Sequence, residues 1–142
     1  MDSKTEKLAD ALRNAAGRLE SGDRYEWGHM GSCNCGHLAQ QLTQLDRDTI
    51  HRYAMEKHGD WANQVLDFCP ESGLTMDLLI SELTSYGLTT RDLIDLERLS
   101  NEEILRSVGR ASLRKNERED VALYMRTWAG MLNPASEEPV LV

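Results

Sequence analysis

The sequence predicts a small all-α protein, a single domain of about six helices packed as a bundle or orthogonally. Apolar residues recur at steps of three and four, the spacing of a helix with one buried face. No alternating run of strand length occurs, and β-branched residues are scarce and scattered. The 142 residues match the length of one ordinary domain with one core. We expect this domain at residues 1–133 and a frayed tail at 134–142.

The first helix is expected at about residues 4–20, between Ser3 as N-cap and a stop at Gly22. Its apolar face consists of Leu8, Leu12, Ala15, Ala16 and Leu19. From residue 21 to 36 the periodicity is lost, and glycines stand at positions 22, 28, 31 and 36. This segment is predicted to be a loop with backbone angles that only glycine adopts freely.

Capping residues predict where the later helices begin. In chain order, the expected N-caps or first residues are Ser32 or Asn34, Asp46 or Asp48, Asp60, Thr75, Thr90, Ser100 and Asn116. Glycine or proline predicts where several of these helices stop. The third segment is expected to stop at Gly59, the fourth at Cys69-Pro70, the fifth at Gly87, the seventh at Gly109 and the last before Pro134. The segments after Thr90 and Ser100 are expected to be brief.

The charge balance disfavours several classes of function. A net charge of −8 repels nucleic-acid phosphates, so we expect no nucleic-acid partner. The basic run from Arg106 to Arg118 is interpreted as arginines that complement a helix end and pair with nearby acids. No apolar run approaches the roughly 20 residues of a membrane span, and we expect no membrane anchor or signal peptide. Three cysteines, an odd number, favour a soluble protein of the cytoplasm.

The loop between the first two helices holds the residues with most chemical promise. His29, Cys33, Cys35 and His37 offer four thiolate or imidazole donors within nine residues, and zinc and iron bind such donors. The sequence therefore predicts a transition-metal site at residues 29–37, although a Cys-x-Cys pair is closer than the usual zinc spacing. A less crowded site would take some of its ligands from the following helices. The candidates for that are His51, His58 and Cys69.

Two other functions remain open from the sequence, as does the question of whether the protein is an enzyme. A cysteine in the first turn of a helix has a lowered pKa, so Cys33 could act in thiol redox chemistry. Alternatively, the cysteines are structural, and the helices bind a protein partner through a groove or an exposed apolar stripe.

Overall fold

The computed structural model describes residues 3–134 and forms eight helices there, with no strand in that range. The helices are α1 (Ser3–Glu20), α2 (Asn34–Thr43), α3 (Arg47–Ala54), α4 (Trp61–Leu66), α5 (Thr75–Thr84), α6 (Thr90–Arg98), α7 (Glu102–Val108) and α8 (Arg118–Leu132). The all-α prediction is confirmed, but eight helices exceed the expected six because the brief helical segments form separate helices. The predicted tail, apart from Pro134, lies outside the described residues.

Helix α2 lies at the centre of the fold, because it contacts α1, α3, α5 and α6. Its residues 34–39 are all buried. The long helices α1 and α8 pack against each other, α4 packs on α6, and α7 packs on α8. None of these eight helices has the length and apolar character needed to cross a membrane.

Local capping residues explain several of the helix starts. The Asp46 carboxylate accepts the backbone N–H of Thr49 at 2.8 Å and begins α3. Asp60 and Asn63 form a reciprocal capping box that begins α4. Both N-caps were among those expected, because each satisfies a free N–H of the first turn from within three residues.

Other boundaries differ from the expectation. The N-caps of α7 and α8 are Asn101 and Glu117, each one residue later than the expected Ser100 and Asn116. Helix α3 ends at Ala54, five residues before Gly59, because the next backbone N–H groups bond three residues back and tighten the chain into a turn.

Candidate functional site

The segment at residues 29–37, here called the Cys/His loop, is part of the core. Residues 30–37 are all buried, although the second half of this segment already belongs to α2. The prediction that the cysteines lie at the start of the second helix is confirmed, since Cys33 is the N-cap of α2 and Cys35 is in its first turn. The loop is therefore packed inside the helices rather than held open to ligands.

Two glycines of the loop are needed for close packing. A Cβ atom on Gly31 would lie 1.8 Å from the carbonyl oxygen of Arg47, and one on Gly36 would lie 2.5 Å from that of Met30. The expectation of glycine-only backbone angles is wrong for positions 28, 31 and 36, because the positive φ in this region occurs at Gly22. The glycines at 31 and 36 instead let backbone segments touch.

The loop carbonyls are bonded to side chains of the surrounding helices. The indole N–H of Trp61 donates to the carbonyl of Met30 at 2.8 Å, and the amide of Gln40 donates to that of Gly31 at 2.7 Å. Trp61 and Met30 are buried, so these bonds satisfy groups that have little access to water. They fix the loop against α4 and α2.

A stacked pair of imidazoles holds the loop from the other side. The rings of His29 and His51 lie 4.2 Å apart between centroids and 14° from parallel. The Nδ1 atom of His51 accepts the N–H of Met30, and the Nδ1 atom of His29 accepts the N–H of Gly31. Both rings must therefore be unprotonated at Nδ1. Burial lowers the pKa of His29.

Cys33 and Cys35 are free thiols without solvent exposure. Burial and the charge of Glu97 raise the pKa of both thiols well above the usual range. The Cys35 Sγ lies 3.2 Å from the carbonyl oxygen of Leu93 and donates to it. The expected lowered pKa of Cys33 is therefore wrong, because desolvation outweighs the positive end of the helix dipole.

Glu97 was not identified from the sequence, yet it is central to this region. Its carboxylate accepts the backbone N–H of Cys35 at 3.1 Å, and its side chain reaches both thiols. Glu97 is 1% exposed, and burial raises its pKa to about 7. The available signal was its position on α6, four residues after Leu93 and therefore on the same apolar face.

Asn34 was expected only as a possible N-cap, but its side chain joins three parts of the chain. Its amide nitrogen donates to the carbonyls of Leu96, Glu97 and Lys115 at 3.1 to 3.2 Å. Its amide oxygen accepts the hydroxyl of Tyr25 at 2.7 Å. The expected N-caps Ser32 and Asn34 are both wrong, because Cys33 holds that position and a carboxylate from α6 accepts a first-turn N–H.

The four predicted metal ligands have separate partners. The Nε2 atom of His37 lies 2.7 Å from the carbonyl oxygen of Arg24, and that of His29 faces Asp48 at 3.4 Å. Within residues 3–134, no group of three or more His, Cys, Asp or Glu side chains is arranged to hold a metal ion. Two of the residues that were candidates to complete a metal site from the following helices, His58 and Cys69, are exposed.

A groove that follows α1 and α2 is lined mainly by polar residues. Arg13, Asn14, Arg18, Asp23 and Gln41 are among its lining residues. None of its lining residues comes from the Cys/His loop, so this groove gives no access to the thiols.

Exposed apolar side chains concentrate at another surface, where α3 and α4 end and α5 begins. Four of the six large apolar side chains found exposed in the described chain are there, and the other two are on α8. We call these four the α3–α5 apolar surface: Met55, Leu66, Leu74 and Leu78.

Comparison of the chain with protein families, with curated proteins and with solved structures finds no match.

Proposed function

We propose that the protein is a binding module that takes up an apolar segment of a partner protein on the α3–α5 apolar surface. The observation that carries this proposal is that the three helix ends, which hydrogen bonds join, each carry a large exposed apolar side chain. Their exposed fractions are 58% for Met55, 69% for Leu66, 37% for Leu74 and 54% for Leu78. Single exposed apolar residues are ordinary, whereas a contiguous group is typical of an interaction site.

Polar contacts between their sequence neighbours bring the three helix ends together. Glu56, next to Met55, accepts the backbone N–H of Thr75, which follows Leu74. The ammonium of Lys57 lies 3.3 Å from the carbonyl oxygen of Asp67, the residue after Leu66. It also lies 2.8 Å from the carboxylate of Asp77, the residue before Leu78.

The Lys57–Asp77 pair makes this surface a fixed one. The side chains are 6% and 2% exposed, respectively, so the pair is shielded from solvent. Lys57 also donates to the carbonyl of Gln64 at 3.4 Å, which ties the turn after α3 to α4. Because these bonds already fix the backbone of the surface, binding loses little conformational entropy, and this favours affinity.

The proposal can be tested with a neutral model helix. An 18-residue peptide with leucine at helical spacing and glutamine elsewhere is titrated into the ¹⁵N-labelled protein. We expect shift changes at the α3–α5 apolar surface and their loss in the Leu66→Gln/Leu78→Gln variant. Leu123→Gln is the matched control, because Leu123 is 38% exposed on α8. Binding that is unchanged in the double variant, or no binding at all, would refute the proposal.

The metal site at His29, Cys33, Cys35 and His37 stays a prediction from the sequence. Its test is elemental analysis of protein purified without an affinity tag or chelator, with free thiols counted on the same sample. Near-stoichiometric zinc or iron with masked thiols would support it.

A further inference from the structure

The charge around the α3–α5 apolar surface is strongly one-sided. Between residues 59 and 90 the chain has five acidic residues and no lysine, arginine or histidine. Those acids are Asp60, Asp67, Glu71, Asp77 and Glu82. This stretch contains all of α4 and α5. Helix α5 carries Asp77 and Glu82, and α4 has no charged residue of its own but lies between Asp60 and Asp67.

Three of these acids are open to solvent, and the nearby lysine is not. The side chain of Asp67 is 84% exposed, and Glu71 and Glu82 are also exposed. The ammonium of Lys57 is buried against Asp77, which neutralises it. In the described segment from α3 to α5, the one exposed lysine or arginine is Arg52 on α3, so the negative charge of this segment is concentrated toward α4 and α5.

The size of the apolar group restricts the kind of partner. Four partly exposed side chains make a patch of a few hundred Å², roughly the largest found on ordinary monomers. A stable protein interface buries about 800 Å² on each partner, so this patch is too small for a permanent dimer. Two copies of this chain would also bring like charges together, and an anionic membrane would be repelled for the same reason.

We propose that the partner segment is a cationic amphipathic helix, whose apolar side chains contact the α3–α5 apolar surface and whose Lys or Arg residues face Asp67, Glu71 and Glu82. This inference rests on the proposed function and specifies the partner. Leu74 and Leu78 are four residues apart at the start of α5, so they lie one helical turn apart. An apolar row at i, i+3, i+4 and i+7 of a partner helix has a matching spacing.

The test compares three 18-residue peptides that share their leucines and carry Lys, Gln or Glu at the polar positions. We expect the Lys peptide to bind about tenfold more tightly than the Gln peptide at low salt, and the Glu peptide to bind least. The advantage of the Lys peptide should shrink as NaCl rises, because exposed charges are screened. The protein should not co-sediment with vesicles that contain phosphatidylserine. Binding to these vesicles would overturn the assignment of a protein helix as the partner.

A pair of double variants separates local charge from net charge. Asp67→Asn/Glu71→Gln should reduce the advantage of the Lys peptide several-fold. Glu102→Gln/Glu103→Gln removes the same charge from exposed positions on α7, which packs on α8, and should leave that advantage unchanged. Equal losses in both variants would overturn the inference.

The two proposals can fail separately. If the Gln peptide binds at the α3–α5 apolar surface and the Lys peptide gains nothing, the inference is wrong and the proposed function stands. If no peptide binds there, both are wrong.

Discussion

Glu97→Gln should make the protein more stable at alkaline pH. Burial raises the pKa of this carboxyl from 4.5 to about 7, so the folded state binds the proton more tightly than the unfolded chain. The resulting contribution to stability is fully present below pH 4.5 and is lost as the pH rises through 7. At about 1.36 kcal/mol for each pH unit between 4.5 and 7, the loss is roughly 3 kcal/mol.

Glutamine keeps an oxygen that can accept the N–H of Cys35 but carries no charge. We therefore expect the Glu97→Gln variant to be up to about 3 kcal/mol more stable than the wild type at pH 8, and to differ by less than about 1 kcal/mol at pH 5. Urea unfolding followed by circular dichroism at both pH values measures this difference. Glu103→Gln, the same change at an exposed position, should show no such pH dependence. Equal stability of the wild type and Glu97→Gln at pH 8 would refute the reasoning.

Four further predictions concern the loop and its surroundings. Gly31→Ala should lower the free energy of unfolding by more than about 4 kcal/mol, because its Cβ would collide with the α3 backbone. The control Gly28→Ala places its Cβ more than 4 Å from the surrounding atoms and should leave the free energy of urea unfolding nearly unchanged. Asn34→Ala should cost about 2 to 4 kcal/mol in the same assay, since buried carbonyls lose their donor. In the native protein, Cys69 alone should react with Ellman's reagent within minutes, and fast reaction of three thiols would contradict the burial of the other two. The pKa of His29, followed by NMR as the pH is varied, should lie below 6.5 because the ring is partly buried. A midpoint above 6.5 would contradict this.

Helices whose start depends on nearby residues could be predicted from the sequence. The side chains of Asp46 and Asp60 each accept a backbone N–H from three residues ahead. An aspartate just before a helical apolar pattern predicts such a cap from the sequence alone. The start of α2 has no such local signal. Its first-turn N–H is bonded to Glu97, 62 residues away, and its N-cap Cys33 makes no side-chain cap bond. A start of that kind is visible only once α6 packs on α2.

The chemistry of the loop could be predicted only in part, for a similar reason. The position of the cysteines at a helix start follows from sequence periodicity, but their burial does not. Burial depends on Gly31, which lets the loop contact the backbone at the start of α3, and on Gly36, which lets α2 contact the backbone of residues 30 and 31. The helix dipole favours a thiolate at Cys33, whereas desolvation disfavours it, and in a fully buried site desolvation is the larger effect.

The two pH effects at this loop have opposite signs. Protonation of His29 removes the acceptor for the Gly31 N–H, so its contribution to stability is present above pH 6.5 and is lost as the pH falls. The contribution of Glu97 is lost as the pH rises through about 7. Between pH 4.5 and 6.5 the two effects therefore oppose each other, because the Glu97 contribution falls as the pH rises while the His29 contribution grows.

The bonds of the loop also indicate why binding is better sought at the surface. His37 is bonded to the carbonyl of Arg24, and Cys35 to that of Leu93. A ligand or metal that took up these side chains would leave those carbonyls without their donors, at a cost of about 1 to 3 kcal/mol for each that stays buried. Binding at the loop therefore competes with folding. The apolar side chains of Leu66 and Leu78 have no such bonds to lose, and covering them removes apolar area from water.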